Sequence, residues 1–238
     1  MNHAAGSEAA AHPHLSAEEF AALRSISSPT IANAIETFEV RPRGEGYTRG
    51  GIHCLFPDRG ALLGYACTAM ILSAQPAAPN RLVDRTKYWE YTMRATLPKI
   101  TVLQDMSEEP LGAYIGEVNS HIHLALGSSG VITNGTVRDI EEVRGTGFQV
   151  FSSGVNVSHG FAHLEDFNRP VTVFGMLVHP GDLVHADQHG AVIIPRAIAR
   201  EVAAASKKIE LAERVMIGLC KSDKFSIPEL DKLISPEY

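Results

Sequence analysis

The chain has 238 residues, is 45% hydrophobic and carries a formal charge of −6, so it can bury a sizeable core but offers no basic face to a phosphate backbone, which argues against a nucleic-acid partner. Three distant cysteines, Cys54, Cys67 and Cys220, with no CxxC pair, suggest neither a disulfide framework nor a zinc knuckle. No apolar run approaches the roughly 18–20 residues of a membrane span and no basic-then-apolar leader opens the chain, so the expectation is a cytoplasmic protein with no membrane contact.

In chain order, residues 1–14 hold almost no large apolar groups and read as a disordered tail. Ser16 and Glu19 have capping-box spacing, and Phe20, Leu23 and Ile26 follow at helical intervals, giving a first helix. A second helix follows Pro29 and runs from Ile31 to Phe38, with Pro in its first turn. The chain from Arg41 to Gly51 is loop. Ala61 to Ser73 is apolar almost throughout, the pattern of a strand covered on both faces. Arg81 to Leu97 shows helical spacing, and a strand follows at Ile100 to Leu103. Further helices are expected at Glu117 to Leu126 and Ile140 to Gly145, with strands at Gly130 to Ile132 and Gln149 to Phe151. Val171 to Val178 and Leu183 to Ile194 read as two strands paired around a Pro180-Gly181 turn, and a helix runs from Ala197 to about Ile217. The alternation gives an α/β domain over residues 15–217 with a mixed central sheet flanked by helices, followed by a C-terminal helical arm over residues 218–238.

The densest run of chemical groups lies between Gly112 and Glu142. In Gly112-Ala113-Tyr114-Ile115-Gly116-Glu117, glycine permits close approach to a ligand, and the helix opening at Glu117 would present the amides of Glu117, Val118 and Asn119 to a carboxylate. The competing reading is an ordinary helix start with a favourable Glu in its first turn. Thr133 through Glu142 follows a buried strand and precedes a helix, the strand-end position where α/β sheets bind ligands. There Arg138 offers a planar fork for a carboxylate or enolate oxygen, and Asp139 a hard oxygen ligand for Mg²⁺ or Mn²⁺. Alternatively, Asp139 caps its helix and Arg138 pairs with a surface carboxylate.

The stretch from Gly112 through Glu142, with its Arg138-Asp139-x-x-Glu142 signature, resembles the family of 4-hydroxy-4-methyl-2-oxoglutarate aldolases and the related regulator of ribonuclease activity A. The likeness runs from about Ile31 to Glu213 and takes in Gly154-Val155, Pro180-Gly181-Asp182-Leu183, Asp187, Gly190 and Pro195. It implies the swivelling β/β/α-type fold of the RraA-like family. It also implies a divalent metal, Mg²⁺ or Mn²⁺, held by Asp139 largely through water, with Arg138 contacting the substrate and stabilising an enolate. Further implied are a substrate carboxylate received at Gly116, Glu117, Val118 and Asn119, and a late-helix carboxylate, Glu213 or alternatively Glu210, reaching across a subunit interface of a trimer or hexamer. Two positions depart from the common pattern. Asn134 stands where many relatives have Asp, removing a charge behind the site, and Gln188-His189 replaces an acidic run in a turn that would line the pocket. The tract from Arg85 to Tyr91 reads either as a cover for the pocket or as ordinary helix packing.

The expected chemistry is class II-type aldol cleavage of a small 2-oxo acid through a pyruvate enolate, with oxaloacetate decarboxylation through the same enolate. Glu117 or Glu213 would steer the base, since no lysine has the context of a Schiff base. One alternative is a regulator that binds a protein partner without catalysis. A zinc hydrolase built on His159 and His163, with Glu165, or on His185 and His189 is another. The Gly145-x-Gly147 pair fails as a dinucleotide fingerprint.

Overall fold

The computed structural model describes residues 15–78 and 82–234, so the expected tail at residues 1–14 lies outside the described residues. Helix α1 (Ala17–Arg24) opens with the anticipated capping box: the Ser16 Oγ accepts from the Glu19 amide at 3.2 Å, and Glu19 Oε2 accepts from the Ser16 amide at 2.6 Å. Helix α2 (Ser28–Glu36) is capped by Ser27 and carries Pro29 in its first turn. After an irregular stretch come β1 (His53–Cys54) and the long buried β2 (Leu62–Leu72). Helix α3 (Arg85–Arg94) is shorter than its periodicity suggests. Asp84 caps its start, and at its end the buried Lys99 ammonium donates to the carbonyls of Thr92 and Met93.

The middle of the chain repeats one unit. Strand β3 (Lys99–Asp105) leads to a short β4 (Ala113–Ile115) and helix α4 (Glu117–Ala125). Strand β5 (Ser128–Thr133) leads likewise to β6 (Thr136–Val137) and helix α5 (Ile140–Thr146), and β7 (Gln149–Ser152) to β8 (Gly154–Val155). Strands β2, β3, β5 and β7 are parallel neighbours, and β4, β6 and β8 form a small parallel sheet in the same succession beyond their C-terminal ends. Three chain segments therefore leave the central sheet side by side, and two of them enter helices at once.

The C-terminal half corrects one expectation. Val171 to Val178 does not pair with Leu183 to Ile194. Each run folds on itself: β10 (Val171–Val173) with β11 (Met176–Val178), and β12 (Leu183–Asp187) with β13 (Gly190–Ile194). Phe174 and Gly175 turn the first hairpin with φ of 47° and 77°, the primed-turn backbone that matches strand twist, and glycine takes one of those positions without strain. Pro180-Gly181 links the two hairpins instead, and β2 holds that link through the Gly181 amide to the Ala66 carbonyl. Strand β12 pairs antiparallel with β2, as does β9 (His163–Phe167), which periodicity did not suggest. Helices α6 (Ala199–Cys220) and α7 (Ile227–Leu233) close the chain.

Apolar clusters cover both faces of the mixed sheet. The β10–β11 hairpin packs Val171, Val173, Met176 and Val178 on Ile100, Val102 and Ile132. Helices α1, α2 and α6 cover Leu63, Tyr65, Leu183 and Ile194. Tyr88 and Val143, from α3 and α5, pack on Leu103, Val131 and Val150. This is the α/β fold with a mixed central sheet flanked by helices that the alternation implied. Among the described residues no helix is long and apolar enough to cross a membrane.

Candidate functional site

Arg138 and Asp139 stand where β6 passes into α5, and the Arg138 amide donates to the Ile115 carbonyl at the end of β4. That bond ties the β6–α5 junction to the β4–α4 junction. Asp139 takes the left-handed conformation, φ 56° and ψ 49°, and its side chain does not cap α5. Its Oδ2 instead accepts from the Glu117 amide at 3.1 Å and faces the Arg138 Nε at 3.4 Å. The capping alternative for Asp139 is thereby set aside. Both side chains are about one-third exposed, 36% for Arg138 and 35% for Asp139, so their ion pair is wet and the remaining guanidinium nitrogens can face a ligand.

Gly116 makes this contact possible. A Cβ there would lie 2.5 Å from Asp139 Oδ2 and 3.1 Å from the Arg138 Cγ. Its backbone is extended, so glycine is needed for close approach and not for an unusual φ. Of the three amides expected to receive a substrate carboxylate, that of Glu117 is occupied by Asp139, while those of Val118 and Asn119 precede the first intrahelical bond, which Ser120 makes to Gly116. The Glu117 side chain is exposed on the first turn of α4, and Glu142 is exposed on α5.

Sequence reasoning missed the third strand end. Val155, the last residue of β8, and Asn156 and Val157 after it line, with Arg138 and Asp139, an open hollow of about 330 Å³. The Asn156 amide donates to the Val137 carbonyl at 2.9 Å and its Nδ2 to the Pro110 carbonyl at 3.2 Å. Only the tandem β3–β4, β5–β6, β7–β8 arrangement could have pointed there, and β8 is two residues long. A larger cavity, about 840 Å³, lies under α1 among Phe20, Leu62, Pro98 and Gln149, at the opposite ends of the parallel strands. Its lining includes Arg24 and Arg59 but no carboxylate, whereas the smaller hollow brings a guanidinium and a carboxylate together.

Several expected groups are not brought together. Glu213 and Glu210 lie on α6, which packs against α1, α2 and α7 over Leu63, Tyr65 and Ile194, away from Arg138 within one chain. The Gln188-His189 turn joins β12 to β13 at the N-terminal end of β2, since Ala186 pairs with Leu62, so it does not line the Arg138–Asp139 hollow of its own chain. Asn134 has a structural role: its Oδ1 accepts from the Asp105 amide and its Nδ2 donates to the Asp105 carbonyl, both at 2.8 Å. An aspartate could not make the second bond.

The zinc reading fails on ligand geometry. His159 lies in a turn and His163 begins β9, so the four-residue spacing does not align them on a helix. His163 Nε2 instead meets Glu165 Oε1 at 2.7 Å. His185 is buried in β12 with Nδ1 on Ser28 Oγ at 2.9 Å, while His189 sits in the exposed turn. No group of three or more His, Cys, Asp or Glu among the described residues could hold a metal ion.

The RraA-like family description, Aldolase/RraA, matches residues 29–193, more than half of the chain. The chain belongs to the RraA-like family. Among relatives, a protein of Halalkalibacterium halodurans named "putative 4-hydroxy-4-methyl-2-oxoglutarate aldolase" is 23% identical over 141 residues, 58% of this chain and 67% of that protein. Protein DlpA of Legionella pneumophila is 31% identical over 100 residues, 41% of this chain but 16% of DlpA's own length, so the chain spans only a small part of that larger protein. An uncharacterised protein from Pseudomonas syringae superposes with a TM-score of 0.71 at 21% identity, covering 93% of this chain and 95% of that one. RraAS2 of Streptomyces coelicolor, described as an unusual member of the RNase ES inhibitor RraA family, gives 0.68 at 21% identity, covering 85% and 97%. At these identities the solved structures establish the RraA-like fold alone.

Proposed function

We propose that this protein is a divalent-metal-dependent carbon–carbon lyase for small 2-oxo acids. It would cleave 4-hydroxy-2-oxo acids such as 4-hydroxy-4-methyl-2-oxoglutarate, and decarboxylate oxaloacetate, through a shared pyruvate enolate. The observation that carries this reading is the meeting of Arg138, Asp139 and the open first turn of α4 at one strand-end hollow. Names of relatives as aldolases support it.

Asp139 suits Mg²⁺ or Mn²⁺: it is a hard oxygen ligand, its two contacts both fall on Oδ2, and the hollow before it has room for water and substrate. A bound ion supplies Lewis acidity toward the 2-oxo acid. The amides of Val118 and Asn119 receive the C1 carboxylate at the positive end of α4. Arg138, its Nε on Asp139, turns its terminal nitrogens to the C2 oxygen, where negative charge grows as the C3–C4 bond breaks. Glu117, acting through a water, removes the C4 hydroxyl proton; Glu213 of a partner subunit is the alternative, with Glu210 its substitute. In oxaloacetate, CO₂ departs from the same position and leaves the same enolate. Exposed Val155 and Val157 in the hollow, with exposed Val118 on the nearby first turn of α4, support a site at a subunit interface, in a homotrimer or hexamer.

The test is pyruvate release from both substrates with Mg²⁺, Mn²⁺ or excess EDTA. Release should need the metal, vanish in Asp139→Ala with the circular dichroism unchanged, and fall about 100- to 1000-fold in Arg138→Met. Absence of release from either substrate, together with tight binding to a protein partner, would replace this reading by a regulatory one.

A further inference from the structure

A third cavity, about 480 Å³, opens on the other side of the β4–α4 junction, between α3 and α4. Val118 and Asn119, whose amides face the proposed carboxylate position, also form part of its wall. Its volume falls within the roughly 300–1,000 Å³ of small-molecule sites and exceeds what a three-carbon fragment fills. The apolar part of the lining comes from Leu82, Trp89, Val118 and Ile122.

The polar part is unevenly charged. Glu165, just behind the lining, is engaged by His163 at 2.7 Å, and the same imidazole's Nδ1 lies 2.7 Å from the Phe161 carbonyl. His159 Nδ1 lies 2.9 Å from the Gly160 carbonyl. Asp84 spends its carboxylate on the amide and hydroxyl of Thr86. Arg85, in the first turn of α3, is exposed, and no hydrogen bond or ion pair of its side chain occurs among the described residues. Burial raises the Tyr114 phenol, and the charge of Arg85 acts on it in the opposite direction, so the guanidinium and this ring share the cleft. An unspent planar cation at the end of an apolar slot is built for a carboxylate on an apolar stem.

We propose that this cleft is the specificity pocket of the lyase site, and that Arg85 selects 2-oxo acids whose far end carries an anionic group on an apolar stem. The proposal rests on the reading of the α4 N-terminus as the seat of the C1 carboxylate. Trp89 and Val118 bound the stem, and Arg85 holds the terminal anion.

Two six-carbon 2-oxo acids without a 4-hydroxyl, 2-oxoadipate and 2-oxohexanoate, differ only in a terminal carboxylate or methyl. Titration calorimetry with Mg²⁺ present should find 2-oxoadipate bound about 10-fold more tightly or better. Arg85→Met should abolish that preference, and Trp89→Ala should weaken both acids. Equal binding of the two acids by the wild type, binding of neither, or a preference that survives Arg85→Met would each overturn the proposal. Pyruvate release from oxaloacetate by the wild type reports separately on the lyase reading, because its four carbons all lie at the reacting centre.

Discussion

Asp139 adopts a backbone conformation that non-glycine residues enter at a cost on the order of 1 kcal/mol, and its carboxylate forgoes the cap that would ordinarily recompense it. Local preference has given way to the position of Oδ2 against the Glu117 amide. Gly116→Ala should therefore act on chemistry more than on folding. Its Cβ displaces the carboxylate, so kcat should fall about 100-fold while the Tm changes little. His185 makes the opposite prediction, on stability alone. Burial lowers its pKa from 6.5 to about 4, so between those values the unfolded chain binds a proton that the folded chain does not. Stability is full above pH 6.5 and declines as pH falls toward 4, by on the order of 3 kcal/mol. Urea denaturation of His185→Gln across that range should show a flatter dependence than wild type.

Helix α4 carries half of the candidate site, and His123 makes one bond within it and one to α3. His123, buried in its last turn, lies 2.7 Å from the Asn119 carbonyl through Nδ1 and 2.9 Å from the Tyr88 hydroxyl of α3 through Nε2. Burial lowers the pKa of this histidine, which fits a neutral ring accepting from the phenol. Tyr88→Phe should leave Nε2 unpaired in the core and destabilise the protein by about 1–3 kcal/mol, read from urea midpoints. At the end of β3, Asn134 joins β5–β6 to Asp105 through two bonds. Asn134→Asp should also lower stability by about 1–3 kcal/mol, because the carboxylate cannot donate to the Asp105 carbonyl. The expectation that Asn134 matters by withdrawing a charge gives way to a role in holding two strand ends together.

Over the whole molecule, the parallel strands set the polarity of function. Their C-terminal ends lead into β4, β6 and β8 and so to Glu117, Arg138 and Asn156, while α1, α6 and the Gln188-His189 turn gather toward the opposite ends. A carboxylate on α6 can reach Arg138 only from another copy of the chain. If Glu213 has that role, Glu213→Gln and Asp139→Ala should each be inactive alone. Mixed after dissociation, they should regain part of the activity, since some interfaces then combine an intact Asp139 with an intact Glu213. Sedimentation of the wild type as a trimer or hexamer is the accompanying expectation.

The sequence by itself determined the elements with local causes. The capping box at Ser16 and Glu19, the proline in the first turn of α2 and the apolar run of β2 all express physics within a few residues. Tertiary structure alone decided the rest. Whether Val171 to Val178 pairs with itself depends on which strand lies across from it, and a Phe-Gly turn gives too weak a signal to reveal that. Strands of two or three residues such as β6 and β8 exist only because neighbours supply their hydrogen bonds. Asp139 reaches the amide of Glu117, 22 positions earlier, because β4 and β6 lie side by side. Arg85 enters the same neighbourhood only after α3 packs beside α4. Such contacts between distant positions follow from how the strands are ordered in the sheet, and no local pattern of residue types encodes that order.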